Sequence, residues 1–331
     1  MVLVTGANGL VGAYLVKALL LAGHPVRALI RSETSDLQLL RDVLPELEIV
    51  YGDLLDVPVL RQHVQGCRYV IHAAAMVTFE EGVEDDMLRT NVEGTANVVN
   101  ACLANAVVRL CHISSVAALG RRRPGEVIDE HAQWVESPYN SFYARTKYLA
   151  ELEVYRGIAE GLHAFSVNPS LVLGPGPWER SSMKIFRYVW NKGWFYTQGK
   201  ANYVDVRDVA QIVTQLLEDD VSAGERFIVS AGAVEYHHLF ARIAQAFDRR
   251  QPPFRAGRFL AEVAWRWELA RKLLTGRRPT VTRDVARNAN RDFRYTNEKV
   301  KALLNYEFRP FDDTIEWTCR VLRENFGEGK L

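Results

Sequence analysis

Val2-Leu3-Val4-Thr5-Gly6-Ala7-Asn8-Gly9-Leu10-Val11-Gly12 is the stretch that decides the fold. Three apolar β-formers run into a glycine turn, and the turn opens a helical pattern over residues 10–22. Glycines at this spacing, placed at the first strand–helix connection, predict a dinucleotide-binding turn. Gly6 permits the tight turn, Gly9 lets backbone approach a pyrophosphate, and Gly12 lets the helix lie close on the strand. The helix N-terminus then offers phosphate its free N–H groups and its positive dipole end.

Outward from this turn, strand and helix patterns alternate. Strands are predicted at 25–30, 48–51, 69–72 and 109–113, and helices at 37–44, 57–63 and 87–104. A polar loop fills 121–139, and a helix follows over 142–160. A strand is predicted at 163–167, an irregular segment at 168–176, a helix at 207–218 and a strand at 226–229. Continuous apolar strands in βαβα order imply a parallel sheet covered on both faces, doubly wound by right-handed crossovers. The fold class is therefore α/β, a Rossmann-type doubly wound parallel sheet with a smaller mixed, mostly helical C-terminal lobe for substrate. The dinucleotide domain is expected over 1–168 with returning segments near 204–230, and the lobe over 169–203 and 231–331.

Composition bounds the function. The chain has 331 residues, 48% hydrophobic and 24% charged, so there is apolar surface enough for a core. A formal charge of +1 gives no global field toward nucleic acid. No apolar run approaches the roughly 18 residues of a membrane span, and the N-terminus lacks the features of a signal peptide. Cys67, Cys102, Cys111 and Cys319 match no CxxC or zinc spacing. They read as buried free thiols in a reducing cytoplasm, and cytoplasmic localisation is expected. The histidines, including His72, His112, His237 and His238, show no metal-ligand spacing, and no metal is expected. Residues 249–309 carry 16 basic and 6 acidic residues. Phe259, Val263, Trp267 and Leu274 could share one helical face there, which would suit a membrane surface or, more plainly, a cap helix on the main domain.

The GxxGxxG spacing resembles the short-chain dehydrogenase/reductase superfamily, and the length resembles its extended branch, the NAD-dependent epimerase/dehydratases. Further stretches carry the resemblance: Gly52-Asp53-Leu54, His72-Ala73-Ala74-Ala75, Asn91-Val92-Glu93-Gly94-Thr95, Ser114-Ser115, Tyr143-Ala144-Arg145-Thr146-Lys147 and Asn168-Pro169-Ser170. The stretch 295–310 resembles the family's closing segment, with Asn305 where a glycine is usual. The resemblance implies that Gly6, Asn8, Gly9, Leu10 and Val11 line the phosphates and that Asp53 and Leu54 meet the adenine. It also implies that Ala73, Ala74 and Ala75 flank the cofactor and that backbone at Pro169 and Ser170 meets the carboxamide. Asn91 has two readings, ordering a water near Lys147, or packing and helix capping.

Cofactor choice turns on the end of the second strand. An NAD enzyme places an acid there, whereas Ile30 is followed by Arg31 and Ser32. A guanidinium pairs with a 2′-phosphate that a carboxylate would repel. NADP(H) is therefore expected over NAD(H), with Arg31 and Ser32 as phosphate ligands and Arg27 as a weaker candidate.

Tyr143 and Lys147 are four apart on a predicted helix and share a face. A tyrosine of ordinary pKa, about 10, is a poor acid–base group near neutrality, and an adjacent ammonium lowers that value. Tyr143 would protonate a carbonyl oxygen as hydride arrives. The resemblance adds that Lys147 binds the nicotinamide ribose. In it the catalytic serine lies five residues before a glycine, so Gly120 selects Ser115 over Ser114.

The stretch 201–210, Ala-Asn-Tyr-Val-Asp-Val-Arg-Asp-Val-Ala, looks like the family's own, but Ala201 stands near the arginine with which many nucleotide-sugar epimerases grip a diphosphate. Lys200 or Arg180 would have to replace it. Trp178, Met183, Phe186, Trp190, Trp194, Phe195 and Tyr196 suit either an apolar pocket or a lobe core. The pattern is most like the dihydroflavonol 4-reductase-like branch. The leading expectation is an NADP(H)-dependent reductase of a small apolar carbonyl substrate, acting as a homodimer through the helices at 87 and 142. The alternatives are a nucleotide-sugar epimerase or dehydratase, and a non-catalytic NADP-binding regulator.

Overall fold

The computed structural model describes residues 1–79, 82–179, 182–219, 224–257 and 292–326. Strand β1 (Val2–Thr5) leads through the glycine turn into α1 (Leu10–Leu21), β2 (Val26–Ile30), β3 (Leu47–Tyr51), α2 (Val57–Val64) and β4 (Tyr69–His72). Helix α3 (Glu84–Leu88), a π turn (Arg89–Glu93) and α4 (Gly94–Ala104) precede β5 (Arg109–Ile113) and a 3-10 turn (Val116–Leu119). Strand β6 (Val127–Ile128), α5 (Phe142–Ala159), β7 (Ala164–Pro169), β8 (Leu171–Leu173) and α6 (Met183–Trp190) follow. Then come β9 (Phe195–Tyr196), β10 (Lys200–Asp205), α7 (Val206–Glu218), β11 (Arg226–Val229), β12 (Gly232–Glu235) and α8 (Tyr236–Phe247). Strands β13 (Phe254–Arg255) and β14 (Arg294–Tyr295) and helices α9 (Glu298–Leu304) and α10 (Phe311–Phe326) complete the order.

Seven strands form one parallel sheet in the order β11-β7-β5-β4-β1-β2-β3. Alternation along each strand divides two cores. Val2, Val4, Ala28, Ile30, Ile71, Ile113 and Val167 face the side of α1 and α7. Leu3, Leu29, Val70, Leu110 and Ala164 face α2, α4 and α5. Each fully buried aliphatic side chain contributes about 1.5–3 kcal/mol, so neither face can be left uncovered. The strand order reverses between β1 and β4, and such a reversal opens a crevice at the strands' carboxyl ends.

The second half shares the sheet with the lobe. The chain leaves after Pro169 and returns as α7 and β11, the latter beside β7. A separate three-stranded sheet, β12-β10-β8, forms from the rest of this half. Trp178, Met183 and Phe186 are buried, and Trp178, Phe186 and Trp190 pack around Phe247, so these aromatics are core and not pocket wall. Trp194 and Phe195 are exposed instead.

Three expectations need correction. Residues 37–44 form no α-helix but two 3-10 turns, Gln38–Leu40 and Leu44–Glu46. Leu39 and Leu40 are buried, which explains the misleading apolar spacing, and Pro45 has no N–H with which to continue a helix. The helix expected from residue 87 starts at Glu84 and passes through the π turn before α4. The segment 168–176 is not wholly irregular, since β7 runs through Pro169 and Leu171–Leu173 pairs with β10. Phe259, Val263, Trp267 and Leu274 lie outside the described residues. All four cysteines are buried and free. Among the described residues no helix is long and apolar enough to cross a membrane.

Candidate active site

The glycine turn is tight enough to exclude side chains. Gly6 has φ +63°, and a Cβ there would lie 2.6 Å from Ala74 Cα. A Cβ on Gly12 would lie 2.1 Å from the Gly6 carbonyl oxygen. Gly9 caps α1 without a side chain, and the first turn of α1 carries no acid. Its N-terminal N–H groups are thus open to an anion. Leu10 and Val11 are half-buried at that helix start, and Asn8 Nδ2 donates to the Asp36 carbonyl at 3.1 Å.

Along the crevice, Ala73 N donates to the Thr5 carbonyl at 3.3 Å, and Ala74 N to Thr5 Oγ1 at 3.2 Å. Asp53 is exposed, with Oδ1 accepting from Leu55 N at 2.9 Å, while Leu54 is buried under Gly94. Pro169 and Ser170 are buried at the end of β7, and Ser170 N donates to the Val229 carbonyl at 3.1 Å. Ser170 Oγ is buried with no hydrogen-bond partner among the described residues. An uncapped helix start, a turn that a Cβ would fill and an orphaned hydroxyl at the strand end all fit a bound dinucleotide.

At the tip of β2, Arg31 is exposed and has no ion-pair partner among the described residues. Beside it Ser32 Oγ lies 3.1 Å from Thr34 Oγ1 and 3.2 Å from Ser35 Oγ. Arg27 is engaged elsewhere. It pairs with Glu48 at 2.7 Å and donates to the His63 and Gln65 carbonyls at 2.6 and 2.9 Å, which removes it as a phosphate ligand.

Ser115, Tyr143 and Lys147 converge where β5 ends against α5. Ser141 caps that helix by accepting from Ala144 N at 3.1 Å, which presents Tyr143 in the first turn. Ser115 caps the following 3-10 turn, its Oγ accepting from Ala117 N at 3.2 Å, whereas Ser114 Oγ is buried with no hydrogen-bond partner among the described residues. Burial pushes the Tyr143 hydroxyl up to about 12, and the neighbouring Ser115 side chain offsets part of that rise. Lys147 is 2% exposed, and its Nζ donates to the Ile113 carbonyl at 2.8 Å. Burial pulls Lys147 down to about 8, against the pull of Glu151. The Tyr143 hydroxyl is thus raised, not lowered as expected: burial is the dominant cause there, and the Lys147 ammonium hydrogen-bonds the Ile113 carbonyl.

Asn91 is buried in the π turn, where its Oδ1 accepts from Met76 N at 2.7 Å and its Nδ2 donates to the Met76 carbonyl at 3.0 Å and to Thr146 Oγ1 at 3.1 Å. Its side chain therefore clamps the segment after β4. That segment carries a residue no sequence pattern singled out. Phe79, 43% exposed, sets its ring edge-on to Tyr143 at 5.8 Å between centroids.

The acids of the stretch 201–210 are structural. Asp205 accepts from Arg207 N at 2.8 Å and from Thr314 Oγ1 at 2.8 Å. Asp208 accepts from Tyr306 Oη at 2.9 Å and from Arg309. Asn305 ends α9 with φ +47°, the left-handed conformation that explains why glycine is usual there. Ala201 is buried, Lys200 pairs with Asp292 at 3.2 Å, and Arg180 lies outside the described residues. Among the described residues no three His, Cys, Asp or Glu side chains group to hold a metal.

The model of the NAD dependent epimerase/dehydratase family matches residues 2–231. A putative dihydroflavonol 4-reductase of Synechocystis sp. is 30% identical over 307 residues, covering 89% of this chain and 87% of its own. Cinnamoyl-CoA reductase 1 of Petunia hybrida is 28% identical, with 98% and 92% covered. The crystal structure of gox2253 superposes with a TM-score of 0.83 at 29% identity, covering 100% of this chain and 99% of that one. The dTDP-glucose 4,6-dehydratase DesIV of Streptomyces venezuelae, with NAD bound, shares the fold at TM-score 0.80 and 20% identity, with 98% of each chain covered. The chain is an enzyme of the NAD-dependent epimerase/dehydratase family, on the side of its reductases.

Proposed function

We propose that this enzyme is an NADP(H)-dependent oxidoreductase that reduces an apolar aldehyde or ketone. Bound NADPH supplies the hydride. Tyr143, kept protonated at neutral pH by burial, gives its proton to the carbonyl oxygen as the carbon is reduced. Ser115 hydrogen-bonds the same oxygen and steadies its developing charge. Lys147 holds the nicotinamide ribose and stabilises the phenolate left behind. Arg31, with the hydroxyls of Ser32, Thr34 and Ser35, receives the 2′-phosphate.

The observation that carries the apolar substrate is the Phe79 ring against Tyr143, which puts hydrocarbon beside the proton donor. A nucleotide-sugar epimerase or dehydratase would need a cation for the diphosphate; among the described residues Ala201 and the paired Lys200 offer none, and Arg180 lies outside them. Consumption of NADPH, followed optically against aliphatic, aromatic and steroidal aldehydes and ketones, tests the assignment. Stoichiometric loss with one of them, and a drop of about 100- to 10,000-fold in Tyr143→Phe with NADPH binding intact, is expected. No loss across the panel moves the assignment to the epimerase or dehydratase.

A further inference from the structure

Beneath the candidate active site lies a buried polar cluster that the reaction above does not use. Glu151 follows Lys147 by one turn of α5, so the two side chains share a face. Glu151 is 1% exposed. Its Oε1 accepts from Asn168 Nδ2 at 2.5 Å, and the same Nδ2 donates to the Ser115 carbonyl at 3.0 Å. Its Oε2 has no hydrogen-bond partner among the described residues and lies 3.5 Å from Arg226 Nη1. Arg226 Nη2 is taken by the Glu130 and Ala132 carbonyls at 2.5 and 2.9 Å. An ionised carboxylate buried this deeply is costly unless positive charge faces it.

We propose that Glu151 is a positioning residue: held by Asn168, its carboxylate supplies the counter-charge that keeps the buried Lys147 side chain an ammonium. The inference rests on the reading of Lys147 as the residue that grips the ribose and stabilises the phenolate. Burial alone drives Lys147 toward the neutral amine, and Glu151 opposes it.

The other groups around Lys147 do not supply that charge. Tyr143 on α5 is a neutral phenol, and His72 on β4 and His112 on β5 are buried and neutral. Strand β7 brings Ser166 and Asn168, and the π turn brings Asn91. Helix α3 turns Met87 inward and leaves Asp85 and Asp86 exposed; Glu93 before α4 is exposed too, and Cys102 within α4 is a neutral thiol. The 3-10 turn Val116–Leu119 is apolar. Arg226 on β11 faces Glu151 as a second cation.

Glu151→Gln keeps the shape and the Asn168 bond but removes the charge. The titration of Lys147 is read directly in the full chain labelled with ε-13C lysine, the resonance being assigned by its loss in Lys147→Met. The midpoint is expected to fall by about one pH unit or more, and the alkaline limb of kcat to move down with it. A fold-destabilising role alone would lower activity without moving either. Should the Gln variant fail to fold, Glu151→Asp draws the carboxylate back by one methylene and lowers the midpoint by less. An unmoved Lys147 midpoint in a folded variant overturns the inference, whatever the activity does. A midpoint that moves while Lys147→Met retains full turnover upholds the counter-charge and removes the catalytic reading of the lysine.

Discussion

The His72 imidazole and the Thr95 hydroxyl are joined by a hydrogen bond of 2.9 Å whose direction is fixed by its neighbours. Thr95 gives its own proton to the Asn91 carbonyl at 2.6 Å, so it accepts from His72 Nε2. Nδ1 is then the acceptor for the Thr5 hydroxyl at 2.8 Å, and Thr5 Oγ1 accepts from Ala74 N. A neutral imidazole thus ties the glycine turn to α4. His112 lies beside it, with ring centroids 5.3 Å apart.

This pair makes the fold acid-sensitive. Burial, with repulsion from Lys147, holds His72 down to about 3, and the same causes hold His112 well below its ordinary range. An unfolded histidine takes up its proton near pH 6.5. Between that value and about 3 the unfolded state binds more protons, so stability is lost as the pH is lowered. The slope is about 1.4 kcal/mol per unit for each ring well inside the window. Urea unfolding at pH 7, 6 and 5 measures it; a level stability would rule out the neutral pair.

Gly12→Ala would drive a methyl group into the Gly6 carbonyl, 2.1 Å from the oxygen. Backbone cannot give way as a side chain can, so α1 must lift from β1. A cost above the roughly 1–3 kcal/mol of ordinary overpacking is expected, together with NADPH binding weakened by about tenfold or more. Thermal melts and cofactor titration read the two effects, and native values in both would contradict the tight turn.

Arg31→Glu replaces the exposed guanidinium at the tip of β2 with a charge that repels a 2′-phosphate. The NADPH-to-NADH affinity ratio should fall by about tenfold or more, since one charge-assisted pair is worth roughly 1.5–3 kcal/mol. Arg27→Gln, which breaks the pair with Glu48, should leave the ratio unchanged. Titration of each variant with both cofactors decides the matter, and an unaltered ratio in Arg31→Glu would remove the NADP(H) preference.

Asn305→Val places a β-branched residue at φ +47°. About 1–2 kcal/mol of stability should be lost, whereas Asn305→Gly should be neutral or slightly stabilising. Equal melting temperatures for the two variants would show that the left-handed cap carries no strain.

The sheet was legible because β1, β2, β4 and β5 are short, apolar and separated by glycine or polar turns. Phe79 was not, because a loop residue that meets Tyr143 shares no periodicity with it. Arg27 looked available because sequence lists no neighbours across strands; the β2–β3 register sets it opposite Glu48. The start of α3 carried a signal in Glu84-Asp85-Asp86, an acidic first turn, which the apolar spacing beginning at Met87 concealed. Ser115 could be separated from Ser114 only by resemblance, since the two hydroxyls differ in what they face and not in their surroundings along the chain.

Asn91 grips both the N–H and the carbonyl of Met76, as a paired strand would. The grip divides the segment after β4 into two independent halves. Ala73 and Ala74 stay pressed on the glycine turn, while Val77 and Phe79, both exposed, lie beyond the pinned residue. On the proposed reading the clamp is a graft point: new side chains at 77 and 79 would change which carbonyl compound is recognised and leave the proposed cofactor seat in register behind them.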